Sequence, residues 1–257
     1  MTGQTYHFLL HKKANTNFLL FVLFSTLCSY SFHWYLTSGS ILPSPRINWV
    51  EKNRTIHLVF FIIGITGAGL FFFYLLPYWP WLLLSAIITF LYSAPKIPHP
   101  LFRALRKVAL GKTIFLALVW TNVTTLLPIV ISEQPWQNDF TLFLLSRFFL
   151  IYAICILFDY RDRQDDIAAG IRSIITYLNE RSILLLFAFS LFVFAISTTC
   201  LYNYGHPIAT IIILLIPGII TAGLYNYARR NFSDLLYYFI LDGLMAFSAI
   251  ILLITGI

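Results

Sequence analysis

A chain of 257 residues with 59% hydrophobic and only 11% charged residues cannot be a water-soluble domain, because it has no way to hide so much apolar surface. Its net charge of +7 sits mostly in loops between apolar runs, which calls for membrane orientation and makes a nucleic-acid partner unnecessary.

Eight segments approach or reach the roughly 20 apolar residues that cross a bilayer. In chain order they cover about 17–36, 56–76, 78–94, 108–132, 139–158, 182–201, 208–226 and 235–256. All are predicted helices, since lipid offers no partner to an unpaired backbone group. The alternating ten-residue strands of a membrane barrel are absent. The expected architecture is an all-α polytopic transmembrane bundle of about eight helices, one domain over 1–257 with no soluble domain. No cleavable signal peptide is visible, because the first apolar stretch is long and lacks a small-residue cleavage site after it. Cys28, Cys155 and Cys200 fall inside predicted helices without ligand spacing and read as packing residues. Gly64, Gly67, Ala68 and Gly69 allow close helix approach in the second helix. Pro128 and Pro217 predict kinks in the fourth and seventh.

Polar residues inside the spans read in two ways. Thr121, Asn122, Thr124 and Thr125 would hydrogen-bond across helices or line a cavity. Asp242 seeks a partner, with Arg147, Lys112 and a ligand as the alternatives. Four of the six histidines, at 33, 57, 99 and 206, are scattered without H-x-x-H spacing, so a histidine metal site is not expected.

The Lys and Arg residues of the loops divide thirteen against two, the pair being Lys12 and Lys13 before the first helix. The rich side is therefore expected to be cytoplasmic, in a multi-pass protein of a bacterial inner membrane. That places both termini outside. The segment Tyr6 to Asn17 then looks like an outer connection, as though one helix preceded it. On the basic side, the three prolines of Ala94-Pro-Lys-Ile-Pro-His-Pro100 exclude helix. After them Leu101, Leu105 and Val108 share one face of a short interfacial helix. Arg103, Arg106 and Lys107 point elsewhere and would grip lipid phosphates or a substrate diphosphate.

Chemistry concentrates in Phe158-Asp-Tyr-Arg-Asp-Arg-Gln-Asp-Asp166, which holds four of the ten acidic residues directly after a membrane-length run. Carboxylates are costly beside hydrocarbon and mark a functional site by default. Asp159, Asp162 and Asp166 fall at i, i+3 and i+7, on one face of a helix. Three converging carboxylates repel unless a cation joins them, and Mg²⁺ shared with substrate phosphates is the hard, oxygen-seeking candidate. The bland alternative is a solvated loop in which Arg161 and Arg163 neutralise the aspartates.

The run Asp159-Tyr-Arg-Asp162-Arg-Gln-Asp-Asp166-Ile-Ala-Ala-Gly170-Ile-Arg172 resembles the second aspartate-rich motif of the UbiA superfamily of intramembrane prenyltransferases. That motif reads D-x-x-D-x-x-x-D with an A-A-G-x-R tail, matched here by Ala168, Ala169, Gly170 and Arg172. Tyr92-Ser-Ala-Pro-Lys96, closing the third helix, is similar to the family's Tyr-x-x-x-Lys cap-loop sequences. Three helices follow the motif, as the family pattern requires. The resemblance implies that Asp159, Asp162 and Asp166 hold Mg²⁺. It also implies that Tyr92, Lys96, Arg103, Lys107 and Arg172 bind a prenyl diphosphate for transfer to a lipophilic acceptor such as a quinone precursor.

The departure lies at the family's first motif, N-D-x-x-D-x-x-x-D. There the chain reads Ser29-Tyr-Ser-Phe-His33-Trp-Tyr-Leu-Thr-Ser38, and Glu51 is the only acidic residue before position 133. Two readings stay open. One is a divergent Mg²⁺-dependent prenyltransferase with Lys96, Arg103, Arg106, Lys107 and Arg54 compensating. The other is a non-catalytic relative that binds an isoprenoid diphosphate or partners another membrane enzyme. A secondary transporter fits less well, because no inverted repeat is visible and the polar residues cluster at one face.

Overall fold

A computed structural model describes residues 1–36, 45–93, 97, 112–168 and 173–255 of the chain. Among them the regular structure is helical, and seven helices are long and apolar enough to cross a membrane. An eighth apolar helix, Leu76–Leu91, is shorter. All eight fall where the hydropathy of the sequence puts them, and the protein is an all-α, multi-pass membrane bundle.

By internal contacts the chain divides into two compact units. The first comprises Met1–Lys13, Gly111–Arg163 and Ser173–Ile257; the second comprises Ala14–Leu110 and Gln164–Arg172.

The second unit is built on the pairing of Thr16–Leu36 with Arg54–Phe73. Small residues set its spacing. A Cβ placed on Gly64 would lie 2.5 Å from the backbone nitrogen of Cys28, and one on Gly67 would lie 2.4 Å from the Phe24 ring. A Cβ on Gly69 meets nothing within 4 Å, so only two of the three glycines are packing requirements. Near the end of the first of these helices, His33 Nδ1 lies 3.4 Å from Ser93 Oγ at the end of Trp79–Ser93.

The core of the first unit forms around Asn138–Ala168, a 31-residue helix. Ile151, Ala153, Ile154, Ile156 and Leu157 are fully buried on successive faces, as expected for a helix that is hydrophobic all round. Ile183, Phe187, Tyr225 and Tyr237 pack against it. The apolar pattern ends at Phe158, but the helix continues ten residues further. The charged run contains neither Gly nor Pro, and the first breaker is Gly170. Its last residues, from Gln164, group with the second unit. Asn179 starts Glu180–Cys200 by accepting the Ser182 N–H at 2.8 Å. Gly205, with φ of 86°, makes the left-handed turn before Ile208–Ala228. Gly218 lets that helix approach Phe194, whose ring a Cβ would meet at 2.1 Å. Ile208–Ala228 runs on through Pro217.

Pro128 acts differently. It follows a π-helical turn, Asn122–Leu126, between Lys112–Thr121 and Leu127–Ile131. Having no N–H, Pro128 gives nothing to the carbonyl four residues back, that of Thr124. The Thr5 hydroxyl donates to this carbonyl at 2.6 Å, and Arg147 Nη1 donates to it at 3.4 Å. Arg147 is buried and also donates to Gln4 Oε1, Thr5 Oγ1 and the Met1 carbonyl, all neutral acceptors. The first residues are thereby drawn against this unit, with Tyr6, Phe8, Leu9 and Leu10 buried. Arg147 is thus not the partner of Asp242.

Candidate functional site

Asp159 is 4% exposed at the polar end of the long helix, and the Thr113 hydroxyl donates to its carboxylate. Thr113 is itself buried, one residue inside Lys112–Thr121, so the bond ties two helices of the first unit together. Asp162, one turn further, is 38% exposed and accepts from Arg161 Nε at 2.8 Å. Asp166, in the stretch belonging to the second unit, is buried.

The helix through Ala168 keeps the three aspartates at i, i+3 and i+7. Continued backwards, the same stripe passes Cys155, Tyr152, Phe148, Leu145 and Thr141. Leu145, Phe148 and Thr141 line an apolar groove of about 490 Å³ in the first unit, together with Thr121 and Asn122. Phe148 stacks on the buried Tyr152 at 5.8 Å, one turn nearer the carboxylates on the same helix.

Of the two basic neighbours, Arg163 is structural. It pairs with Glu180 at 2.9 Å and donates to the Leu178 carbonyl at the same distance. Arg229 reaches the same Glu180 and the Tyr160 hydroxyl. That hydroxyl, with the charge of Glu180 behind it, holds the Arg229 guanidinium above its ordinary value. Arg161 differs: its side chain is 9% exposed, and the Tyr237 and Tyr238 rings both lie 4.7 Å from its guanidinium carbon. Neither Thr113 nor this tyrosine pair stood out in the sequence. Thr113 is one hydroxyl at the start of an apolar run, and the tyrosines belong to a helix crowded with aromatic residues.

The other expected site residues are settled less far. The backbone of Tyr92 lies in Trp79–Ser93, while its side chain is outside the described residues. Lys96, Arg103, Arg106, Lys107 and Arg172, together with the expected interfacial helix at 101–108, also lie outside them.

Among the described residues no three His, Cys, Asp or Glu side chains already converge as a metal site. The donor set nonetheless fits a hard cation by type and register. Three carboxylates sit on one helical stripe, Thr113 fixes the first, and the side chain of Asp162, paired with Arg161, is the most open of the three.

At the other end of the first unit, a polar cavity of about 600 Å³ is lined by Leu10, His11, Gln134, Asp139 and His206. His206 Nε2 lies 3.4 Å from Asp139 Oδ2, and Phe8 packs on the imidazole at 4.6 Å. No family model matches this chain, and neither a curated protein nor a solved structure matches it.

Proposed function

We propose that the protein is a divergent UbiA-type membrane prenyltransferase, with the aspartate stripe on the cytoplasmic side of a bacterial inner membrane. On this reading it binds an isoprenoid diphosphate and transfers the prenyl group to a lipophilic, aromatic acceptor. The observation that carries it is one continuous stripe on Asn138–Ala168, running from the apolar groove at Thr141, Leu145 and Phe148 to Asp159, Asp162 and Asp166. A ligand with a long hydrocarbon tail and an anionic head matches such a stripe only if a cation neutralises the carboxylates.

Mg²⁺, held by Asp159, Asp162 and Asp166, would supply that neutralisation and stabilise the charge on the leaving diphosphate. The chain's own residues do the rest. Thr113 orients Asp159, and the apolar wall excludes water from the allylic carbon. The stacked rings of Phe148 and Tyr152 offer their faces to a cationic carbon. In the reaction the C–O bond to the diphosphate breaks with its electron pair leaving on oxygen. A bond forms between the prenyl carbon and the acceptor carbon, which then releases a proton.

Binding without turnover is the second reading. It is favoured by the absence of any acidic residue before Glu51 and by the Arg161–Asp162 pair, which occupies a carboxylate the metal needs. Equilibrium binding of farnesyl or geranylgeranyl diphosphate to detergent-purified protein, with Asp162→Asn as control, tests what both readings share. Binding that requires Mg²⁺ and fails in the variant supports it. Binding indifferent to metal and to Asp162 removes both. Turnover with aromatic acceptors then separates the two.

A further inference from the structure

Arg161 carries more than the pairing with Asp162 explains. Its Nε donates to Asp162 at 2.8 Å and its Nη2 donates to the Tyr238 hydroxyl at 2.6 Å. Phe158 adds a third ring at 5.4 Å to those of Tyr237 and Tyr238. Nη1 is buried and has no hydrogen-bond acceptor. A buried donor left unmade is costly, and native structures retain few of them. A planar guanidinium packed against aromatic rings, with Nε on one carboxylate and one donor idle, has donors to spare for an oxyanion. Asp242 also lies within its electrostatic reach, one turn beyond Tyr238 on the facing helix.

The sequence supplies the reason such a group is needed here. With no acidic residue before Glu51, the first helix offers no carboxylate to a second divalent ion. A guanidinium supplies positive charge without needing one. We propose that Arg161 is a direct diphosphate ligand, a fixed cation that replaces a second metal, and that Asp162 exchanges Arg161 for Mg²⁺ as the diphosphate arrives. This rests on the reading of the aspartate stripe as a diphosphate site. The exchange frees Nε, which shares an edge of the guanidinium with Nη2, and that edge can then face the phosphate oxygens while the second Nη2 hydrogen stays on Tyr238. Metal and diphosphate then bind cooperatively through Asp162, without a new carboxylate. The exposed position of Asp162, against the buried one of Arg161, makes the aspartate the partner that moves.

The test measures Mn²⁺ binding by the loss of its free spin-resonance signal, with and without farnesyl diphosphate, on the full chain in detergent. Wild type is expected to bind each ligand more tightly in the presence of the other. Arg161→Gln should weaken farnesyl diphosphate binding by about tenfold to a hundredfold, as loss of a charge-assisted donor pair does. It should leave Mn²⁺ binding alone intact or tighter and abolish the coupling. Arg161→Lys, which keeps the charge but not the fork, should fall between. Arg161→Gln binding farnesyl diphosphate like wild type overturns the role of Arg161 while leaving the underlying site standing. Equal loss of Mn²⁺ and diphosphate binding in both variants also overturns it, marking Arg161 as scaffold only. Wild type that binds no farnesyl diphosphate overturns the underlying reading itself. Inorganic pyrophosphate should compete, more weakly for want of a tail. Displacement of farnesyl diphosphate by phosphatidylglycerol as readily as by itself would make a lipid headgroup the ligand and overturn the isoprenoid assignment.

Discussion

Replacing Thr113 by Val keeps the shape of the side chain and removes one hydroxyl. In the structure that hydroxyl donates to Asp159, and both residues are almost wholly buried, at 2% and 4% exposure. Water cannot readily replace the donor, so the carboxylate loses a charge-assisted hydrogen bond worth about 1.5–3 kcal/mol. At about 1.4 kcal/mol per factor of ten, the folding equilibrium should fall by roughly ten- to a hundredfold. The assay is reversible unfolding of the detergent-solubilised protein, comparing wild type, Thr113→Val and Thr113→Ser. Serine restores the hydroxyl and should recover most of the loss. Diphosphate binding should weaken in the valine variant as well, because Asp159 is no longer oriented. A valine variant within about 0.5 kcal/mol of wild type, the usual range of neutral surface changes, would refute the idea that Thr113 holds Asp159 at the end of the helix.

Gly64→Ala should destabilise by about 1–3 kcal/mol, since its Cβ would press on the Cys28 backbone at 2.5 Å. Gly69→Ala, with open space around it, should be neutral or stabilising by up to about 1 kcal/mol, and the same unfolding assay reads both. Arg147→Ala removes the donor to Gln4 Oε1, Thr5 Oγ1 and the Met1 carbonyl and leaves the Thr124 carbonyl to Thr5 alone. Amide hydrogen exchange over residues 2–10 should rise at least about tenfold, while exchange over 180–228 stays unchanged. His206 lies outside the spans, and burial holds its imidazole below the ordinary value of 6.5 although Asp139 pulls the other way. The folded chain then binds fewer protons than the unfolded one at and below that value. Its contribution to stability is complete above the ordinary value and is lost as pH falls through it. His206→Gln should flatten that acid-side loss in a pH series of unfolding midpoints.

The helices were legible because apolar runs of membrane length leave the backbone no other solution. Gly64 and Gly67 were legible as close-packing positions for the same reason. What sequence pattern missed depends on groups far apart in the chain. The end of the long helix was placed at Phe158 because hydrophobicity stops there, whereas the backbone obeys the lack of a breaker and continues to Ala168. Pro128 was read as a kink, but its consequence is an orphaned Thr124 carbonyl. Only the packing shows that Thr5, 119 residues away, and Arg147, 23 residues away, satisfy it. Arg147, one of the alternatives for Asp242, is engaged there instead. Within the aspartate run, spacing gave the shared face of Asp159, Asp162 and Asp166. It could not separate the two arginines, of which Arg163 braces Glu180 and Arg161 is caged by tyrosines.

The most direct measurement is an experimental structure of the protein with Mn²⁺ and a non-hydrolysable farnesyl diphosphate analogue, the metal located by its anomalous scattering. The account predicts one Mn²⁺ peak ligated by Asp159, Asp162 and Asp166, with the farnesyl chain extending along the stripe towards Phe148. Metal or analogue bound elsewhere, or an aspartate stripe still closed by the Arg161–Asp162 pair at saturating ligand, would contradict it.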